Sequence, residues 1–211
     1  EASAREQRNE ETVERLALIK ARPVGGSRKL GKTFCEAFRP FIYRKFLDFA
    51  SLDELHEIKN RINAKLGSTG KQERHVKLGE GGIREVEFFV QALQLIYGGR
   101  HPHLQQVQTV RALEELHRAQ FLDAQEHRSL REAYEFLRDL EHKLQMVFHF
   151  QTHELPEKEE DLYKCARRMG ITGSSVTETV ERFRQTYARH TAQVHRMFED
   201  LVAWRRGSTA G

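Results

Sequence analysis

Cysteine is nearly absent. Cys35 and Cys165 are the two in 211 residues, and their spacing fits no small disulfide scaffold. That excludes a disulfide-stapled fold and reads as two reduced thiols in a cytoplasmic protein. Long hydrophobic runs are missing too: no stretch reaches the roughly 18 apolar residues of a membrane span. No segment alternates β-branched and polar residues as a half-buried strand would. The net charge of +4 is not gathered into a stripe, because "RKLGK", "YRK" and "WRR" are interrupted by acids. A nucleic-acid partner is therefore not expected, and neither is a membrane. Cysteines at zinc spacing are lacking, so the eleven histidines read mainly as solvated surface. His190 is the exception, falling on an apolar stripe, where a hydrogen-bonded core histidine is expected.

What the chain has in quantity is helical periodicity. "SLDELHEIKNRINAKLG" opens on a capping box, Ser51 with Glu54, and stops at Gly67. A second long helix begins at Asp123, with Glu126 three residues on, and carries the stripe Leu130, Ala133, Leu137, Leu140, Leu144 and Val147. A third begins at Ser175 with Glu178. Its face is Val176, Val180, Phe183, Tyr187, Val194, Phe198 and Leu201. Shorter helices are expected over 12–22, 28–38, 41–48, 106–119 and 159–169, with "GSTGK" (67–71) the loosest internal connection. The fold class is all-α, an antiparallel helical bundle. Residues 1–50 read as an N-terminal helical segment, 51–206 as the bundle domain and 207–211 as a disordered tail. The chain starts at Glu1 rather than Met, and a piece of a longer polypeptide is expected.

Two glycine-rich stretches compete for function. Residues 26–33, "GSRKLGKT", spell the P-loop pattern, in which Lys32 would reach phosphates and Thr33 a magnesium ion. The pattern needs a buried strand before it, yet "TVERLALIKAR" reads as a charged helix. The plainer reading is a basic turn ahead of the helix of Phe34 and Phe38. The second stretch, "KLGEGGIREVEFF" (77–89), leads through Gly79, Gly81 and Gly82 into an apolar helix. On a helical wheel Arg84, Glu87, Gln91 and Gln94 fall within an arc of about 80°. That narrow polar stripe must face water, a cleft or a neighbouring domain. Glu85 instead projects among Phe88, Phe89 and Ala92, where a carboxylate needs a partner, a metal or a raised pKa. Free amides at this helix start would favour an anion. A tight turn into a buried helix explains the same letters equally well.

"KLGEGGIREVEFFVQALQLIYGGRHPHLQ" resembles a signature of the bacterial glutamine synthetase adenylyltransferase/adenylyl-removing family, and "ERLALIKAR", "FRPFIYRKFLDF", "LRDLEHKLQ" and "QTHELP" resemble its flanking motifs in order. The resemblance runs from about Glu14 to Pro156 and weakens towards the last helix. "GGIREVEF" is more similar to the adenylyl-removing, N-terminal half of that family. It implies a parent enzyme that moves AMP between ATP and a tyrosine of glutamine synthetase, with Mg²⁺ and ATP as cofactors, under PII signalling. The family's metal-binding Asp pair after a Gly-Ser loop is not found. Gly-Ser at 26, 67, 173 and 207 is never followed by Asp-x-Asp, and Asp139-x-Glu141 lies inside a helix. The resemblance thus implies a non-catalytic helical region, needing no cofactor of its own. Its partners would be glutamine synthetase, PII and the enzyme's own nucleotidyltransferase domains. Gly81, Gly82, Arg84, Glu85 and Glu87 are the candidate nucleotide-binding residues, with no catalytic or metal-ligating residue assigned.

Overall fold

The computed structural model describes residues 2–45, 54, 56, 57, 59, 60, 74–148 and 153–208. Seven α-helices have defined bounds among them: α1 (Ala2–Ile19), α2 (Arg28–Ile42), α3 (Ile83–Tyr97), α4 (Thr109–Arg118), α5 (Ala124–Phe148), α6 (Glu159–Arg168) and α7 (Val176–Ser208). A 3₁₀ turn spans Pro102–Leu104. No strand is present among the described residues, where the sheet-like pairing is an isolated antiparallel bridge between His75 and Glu154. The fold is all-α.

The helix starts follow their caps. Asp123 Oδ1 accepts from the amides of Gln125 and Glu126, both at 2.7 Å, and Glu126 returns its carboxylate to the Asp123 amide at 2.8 Å. Ser175 Oγ accepts from the Glu178 amide at 3.1 Å. Ser27 caps α2 through the Leu30 amide at 3.3 Å.

Several boundaries differ from expectation. The first helix begins at Ala2 and ends at Ile19 rather than spanning 12–22. The helix expected over 28–38 continues to Ile42, with Pro40 inside it; of the helix expected over 41–48, residues 43–45 are not helical and 46–48 lie outside the described residues. Pro40 removes a single amide donor close to the C-terminal end, where few turns remain to be disturbed. Lys29 to Thr33 are therefore helical, not a turn preceding the helix. The capping box at Ser51 and the "GSTGK" connection lie outside the described residues, although Glu54, His56, Glu57, Lys59 and Asn60 are helical. The last helix runs to Ser208, two residues into the expected tail, and residues 209–211 lie outside the described residues.

Packing divides the chain into two compact units, one of Glu1–Asn60, Glu87–His127 and Leu201–Gly211, the other of Arg61–Val86 and Arg128–Asp200. In the first unit, Leu93, Leu95, Ile96, Leu104, Leu113 and Leu116 are buried. Arg15 is buried as well, and donates from Nε and Nη2 to the Ile42 carbonyl at 3.1 and 3.0 Å. That carbonyl is among those a helix end leaves without an intrahelical partner, so the guanidinium caps α2. Lys20 Nζ similarly donates to the Val107 carbonyl at 3.1 Å and to Thr109 Oγ1 at 2.8 Å. α2 buries little of itself: Leu30, Phe34 and Phe38 are exposed, the two phenyl rings 4.6 Å apart.

In the second unit a continuous core joins Val76 and Ile83 to Leu137, Leu140 and Leu144 of α5, Leu162, Cys165 and Ala166 of α6, and Val180 and Phe183 of α7. Burial pushes the Cys165 thiol up to about 11. His190 is buried as expected but is not held by a hydrogen bond at Nδ1. Its ring stacks on Phe136 at 4.7 Å instead, and burial lowers its pKa. Val176, expected on the core face, is exposed because it opens its helix.

Candidate functional site

The 77–89 stretch is a tight structural element before it is anything else. Val76 donates to the His153 carbonyl at 2.8 Å, and Leu155 to the Arg74 carbonyl at 2.8 Å, so residues 74–76 are tied to 153–155. Arg74 adds an ion pair to Glu157 at 2.5 Å. From this anchor the chain curls back on itself. The Gly79 amide donates to the His75 carbonyl at 2.7 Å, and the Leu78 amide to His75 Nδ1 at 3.0 Å.

The glycines are dictated by space. Gly81 has φ +66°, and a Cβ there would sit 1.8 Å from the Thr191 carbonyl oxygen of α7. At Gly82 it would lie 2.7 Å from the Val76 carbonyl oxygen and 2.9 Å from that of Gly79. No side chain fits either position without moving backbone.

The same closeness closes the amides. Gly82 donates to the Gly79 carbonyl at 3.0 Å, Ile83 to Val76 at 3.1 Å, Arg84 to Lys77 at 3.0 Å and Glu85 to Gly82 at 3.0 Å. The expectation of free amides at this helix start is therefore corrected: the preceding loop folds over the helix end and uses its own carbonyls as the cap.

Glu85 is buried, and its Oε2 lies 3.3 Å from Nδ1 of His195 on α7. The partner that a carboxylate among phenylalanines requires is this histidine, 110 residues away in sequence. Arg84 is exposed, pointing away from the core that Ile83 and Val86 enter. Glu87, in the first unit, is half-buried. The polar stripe that these two begin does not continue outward. Gln91 and Gln94 are buried, and Gln94 Nε2 donates to the carbonyls of Leu104 (2.6 Å) and Gln106 (2.9 Å). Gln94 is thus structural, because the loop at 104–106 brings backbone carbonyls that need a donor.

Behind the glycine loop stands a carboxylate that the sequence placed only inside a long helix, with no role assigned. Glu141 is 2% exposed. Its Oε1 lies 3.0 Å from His153 Nδ1 and 3.7 Å from Lys77 Nζ, and Arg138 Nη1 pairs with Oε2. A buried charge persists only where such partners meet it. The signal was available: Glu141 follows Leu137 by four and Leu140 by one, which places it on the apolar stripe of α5. His195 and His153 gave no such signal. Both reach their acids through the folding of distant segments.

Lys32 of the competing motif lies on an exposed turn of α2, 3.7 Å from Glu36, and the element before it is the helix α1. Neither the strand nor the phosphate cradle of a P-loop exists there. Among the described residues no group of three or more His, Cys, Asp and Glu is placed to hold a metal ion, and no helix is long and apolar enough to cross a membrane.

A family model described as GlnD PII-uridylyltransferase matches residues 53–202. The chain belongs to this family. Relatives that match most of the chain's length include bifunctional glutamine synthetase adenylyltransferase/adenylyl-removing enzymes. It is 48% identical to the one from Agrobacterium fabrum over 75% of this chain and 16% of the relative. To that of Rhizobium meliloti it is 43% identical over 86% of this chain and 19% of the relative. To that of Xanthobacter autotrophicus it is 43% identical over 90% and 19%. The chain therefore spans less than a fifth of the length of these relatives. The glycine loop, Glu141 and His195 all lie inside the residues the family model matches.

Proposed function

We propose that this chain is a helical region of a bifunctional glutamine synthetase adenylyltransferase/adenylyl-removing enzyme, from the adenylyl-removing half, and that it works in the cytoplasm beside a nucleotidyltransferase domain of the same protein. The observation that carries the reading is the 43–48% identity to those enzymes across most of the chain and a small part of theirs. The parent would attach AMP from ATP to a tyrosine of glutamine synthetase, and remove it by phosphorolysis, with Mg²⁺ bound by carboxylates of that other domain. Such ions neutralise phosphate charge and align the attacking oxygen. Glutamine synthetase and a PII protein are the external partners.

In this reading the candidate residues divide their work. Gly81, Gly82 and Glu85 shape the loop and seat it, through Thr191 and His195. Arg84 and Glu87, one helical turn apart, meet the nucleotide and complete its cleft. An arginine suits this role because its guanidinium pairs with phosphate oxygens in two parallel bonds.

The test uses the full-length enzyme. Arg84→Ala should weaken ATP and ADP binding by about 10- to 100-fold, the worth of a charge-assisted hydrogen bond, with melting temperature unchanged. Residues 1–211 alone should neither label glutamine synthetase with AMP nor release it. Unchanged nucleotide affinity in Arg84→Ala and Glu87→Ala would leave the loop a scaffold only, the reading its self-capped amides favour.

A further inference from the structure

We propose that His75 is a positioning residue for the glycine loop: its unprotonated Nδ1 accepts the Leu78 amide, so one imidazole proton decides whether the 77–82 turn keeps its shape. The functional consequence of that turn rests on the nucleotide reading above, but the structural inference does not.

The Leu78 amide points at His75 Nδ1 at 3.0 Å, while the next amide, Gly79, takes the His75 carbonyl at 2.7 Å. The side chain thus does what an asparagine or aspartate does at the start of a turn: it receives an amide three residues on. An imidazole can accept at Nδ1 only when that nitrogen bears no proton, which fixes the neutral tautomer with its hydrogen on Nε2. Protonation would set an N–H against an N–H at this distance. The interaction would change from attraction to repulsion, and the Leu78 donor would lose its partner.

The surroundings make the neutral state the one the fold keeps. The His75 ring stacks on that of His153, centroids 5.7 Å apart and planes inclined by 21°. Its backbone is bridged to Glu154. Lys77 lies in the loop itself. His153 and Lys77 both reach Glu141 on α5, where Arg138 also pairs, and Arg74 is engaged by Glu157. A proton on His75 would add positive charge where Lys77, Arg138 and Arg74 already balance the nearby acids. In agreement, burial first, and then the charge of His153, lowers the His75 pKa below its ordinary 6.5. Glu154 opposes the shift and Lys77 adds to it. The folded chain then binds fewer protons than the unfolded one below pH 6.5. The turn is fully supported above that value and loses support as pH falls from it through the folded pKa.

The turn is also a place where a small movement has leverage. Gly81 and Gly82 sit against the Thr191 and Val76 carbonyls with no slack, and Arg84 follows directly. Any reshaping of 77–82 re-aims that arginine.

The experiment follows the backbone amides of residues 74–86 by NMR in the isotope-labelled 211-residue chain between pH 7.5 and 5. The Leu78 amide should co-titrate with the His75 ring, its protection against exchange falling about tenfold, one hydrogen bond's worth. His75→Asn places a neutral acceptor at the same distance from the backbone, so it should keep the turn and abolish the pH dependence. His75→Gln moves the acceptor one atom further out and should leave Leu78 unprotected at every pH. An amide that ignores the His75 titration would overturn the inference, as would His75→Asn behaving like His75→Gln. If His75→Gln does not fold, the comparison of wild type with His75→Asn still decides. In the full-length enzyme, nucleotide KM should rise below pH 6.5 in the wild type and stay flat in His75→Asn. A wild type whose turn titrates without any change in KM keeps His75 as the loop's pin and removes the nucleotide reading.

Discussion

Residues 26–33 and 77–85 are both glycine-rich and both run from a glycine turn into the start of a helix, yet their turns differ in three dimensions. Around Gly25 and Gly26 an added Cβ would meet nothing within 4 Å. At Gly81 it would meet a backbone carbonyl at 1.8 Å. The first stretch spells a well-known phosphate-binding pattern and is an exposed turn and helix. The second spells no complete pattern, yet its Gly79, Gly81 and Gly82 are all buried. Motif letters describe what a backbone could do. The elements packed around it decide what it does, and a P-loop without its strand has nothing to aim it.

The contrast can be broken by substitution. Gly81→Ala should have the largest effect, about 3–5 kcal/mol, because the methyl group meets α7 backbone and φ is positive as well. Urea unfolding of the chain measures it, and a loss under 1 kcal/mol would mean that the loop is not seated on Thr191. Glu85→Ala comes next, at about 2–4 kcal/mol, since it opens a cavity among buried side chains and strips His195 of its acid. A melting temperature equal to that of the wild type would show Glu85 to be solvated. Gly26→Ala carries the penalty of a positive φ without the clash, so about 1 kcal/mol is expected. Lys32→Ala should change stability by no more than about 0.5 kcal/mol, the value of an exposed i,i+4 pair. It should also leave the full-length enzyme's nucleotide affinity untouched. A hundredfold loss of that affinity would erase the distinction between the two stretches.

Periodicity made the cores legible. Leu130, Ala133, Leu137, Leu140 and Leu144 recur at three- and four-residue steps, and all are fully buried. Such a stripe has one way to leave water, and the helix follows. Asp123 with Glu126 marked a start for a similarly local reason. What could not be read was anything made by two segments meeting. Glu85 advertised its need for a partner, but nothing near it named His195. The loop carbonyls that cap α3 are hidden because their partners depend on how residues 76–79 curl, and that depends on Gly81 finding room beside α7. The polar stripe misled for a related reason. Glutamine on a wheel looks like solvent, whereas Gln94 is buried as a donor to two carbonyls.

The placement of the two thiols gives this molecule an internal reporter. Cys165 is enclosed in the second unit's core with its pKa raised to about 11, while Cys35 on α2 is partly exposed. A thiolate-seeking reagent at neutral pH therefore modifies one cysteine in the native chain and the other only when the core around Val76, Ile83 and Phe183 opens. Mass spectrometry of timed labelling then separates events at the surface of α2 from opening of the structure that carries the glycine loop, with no engineered probe.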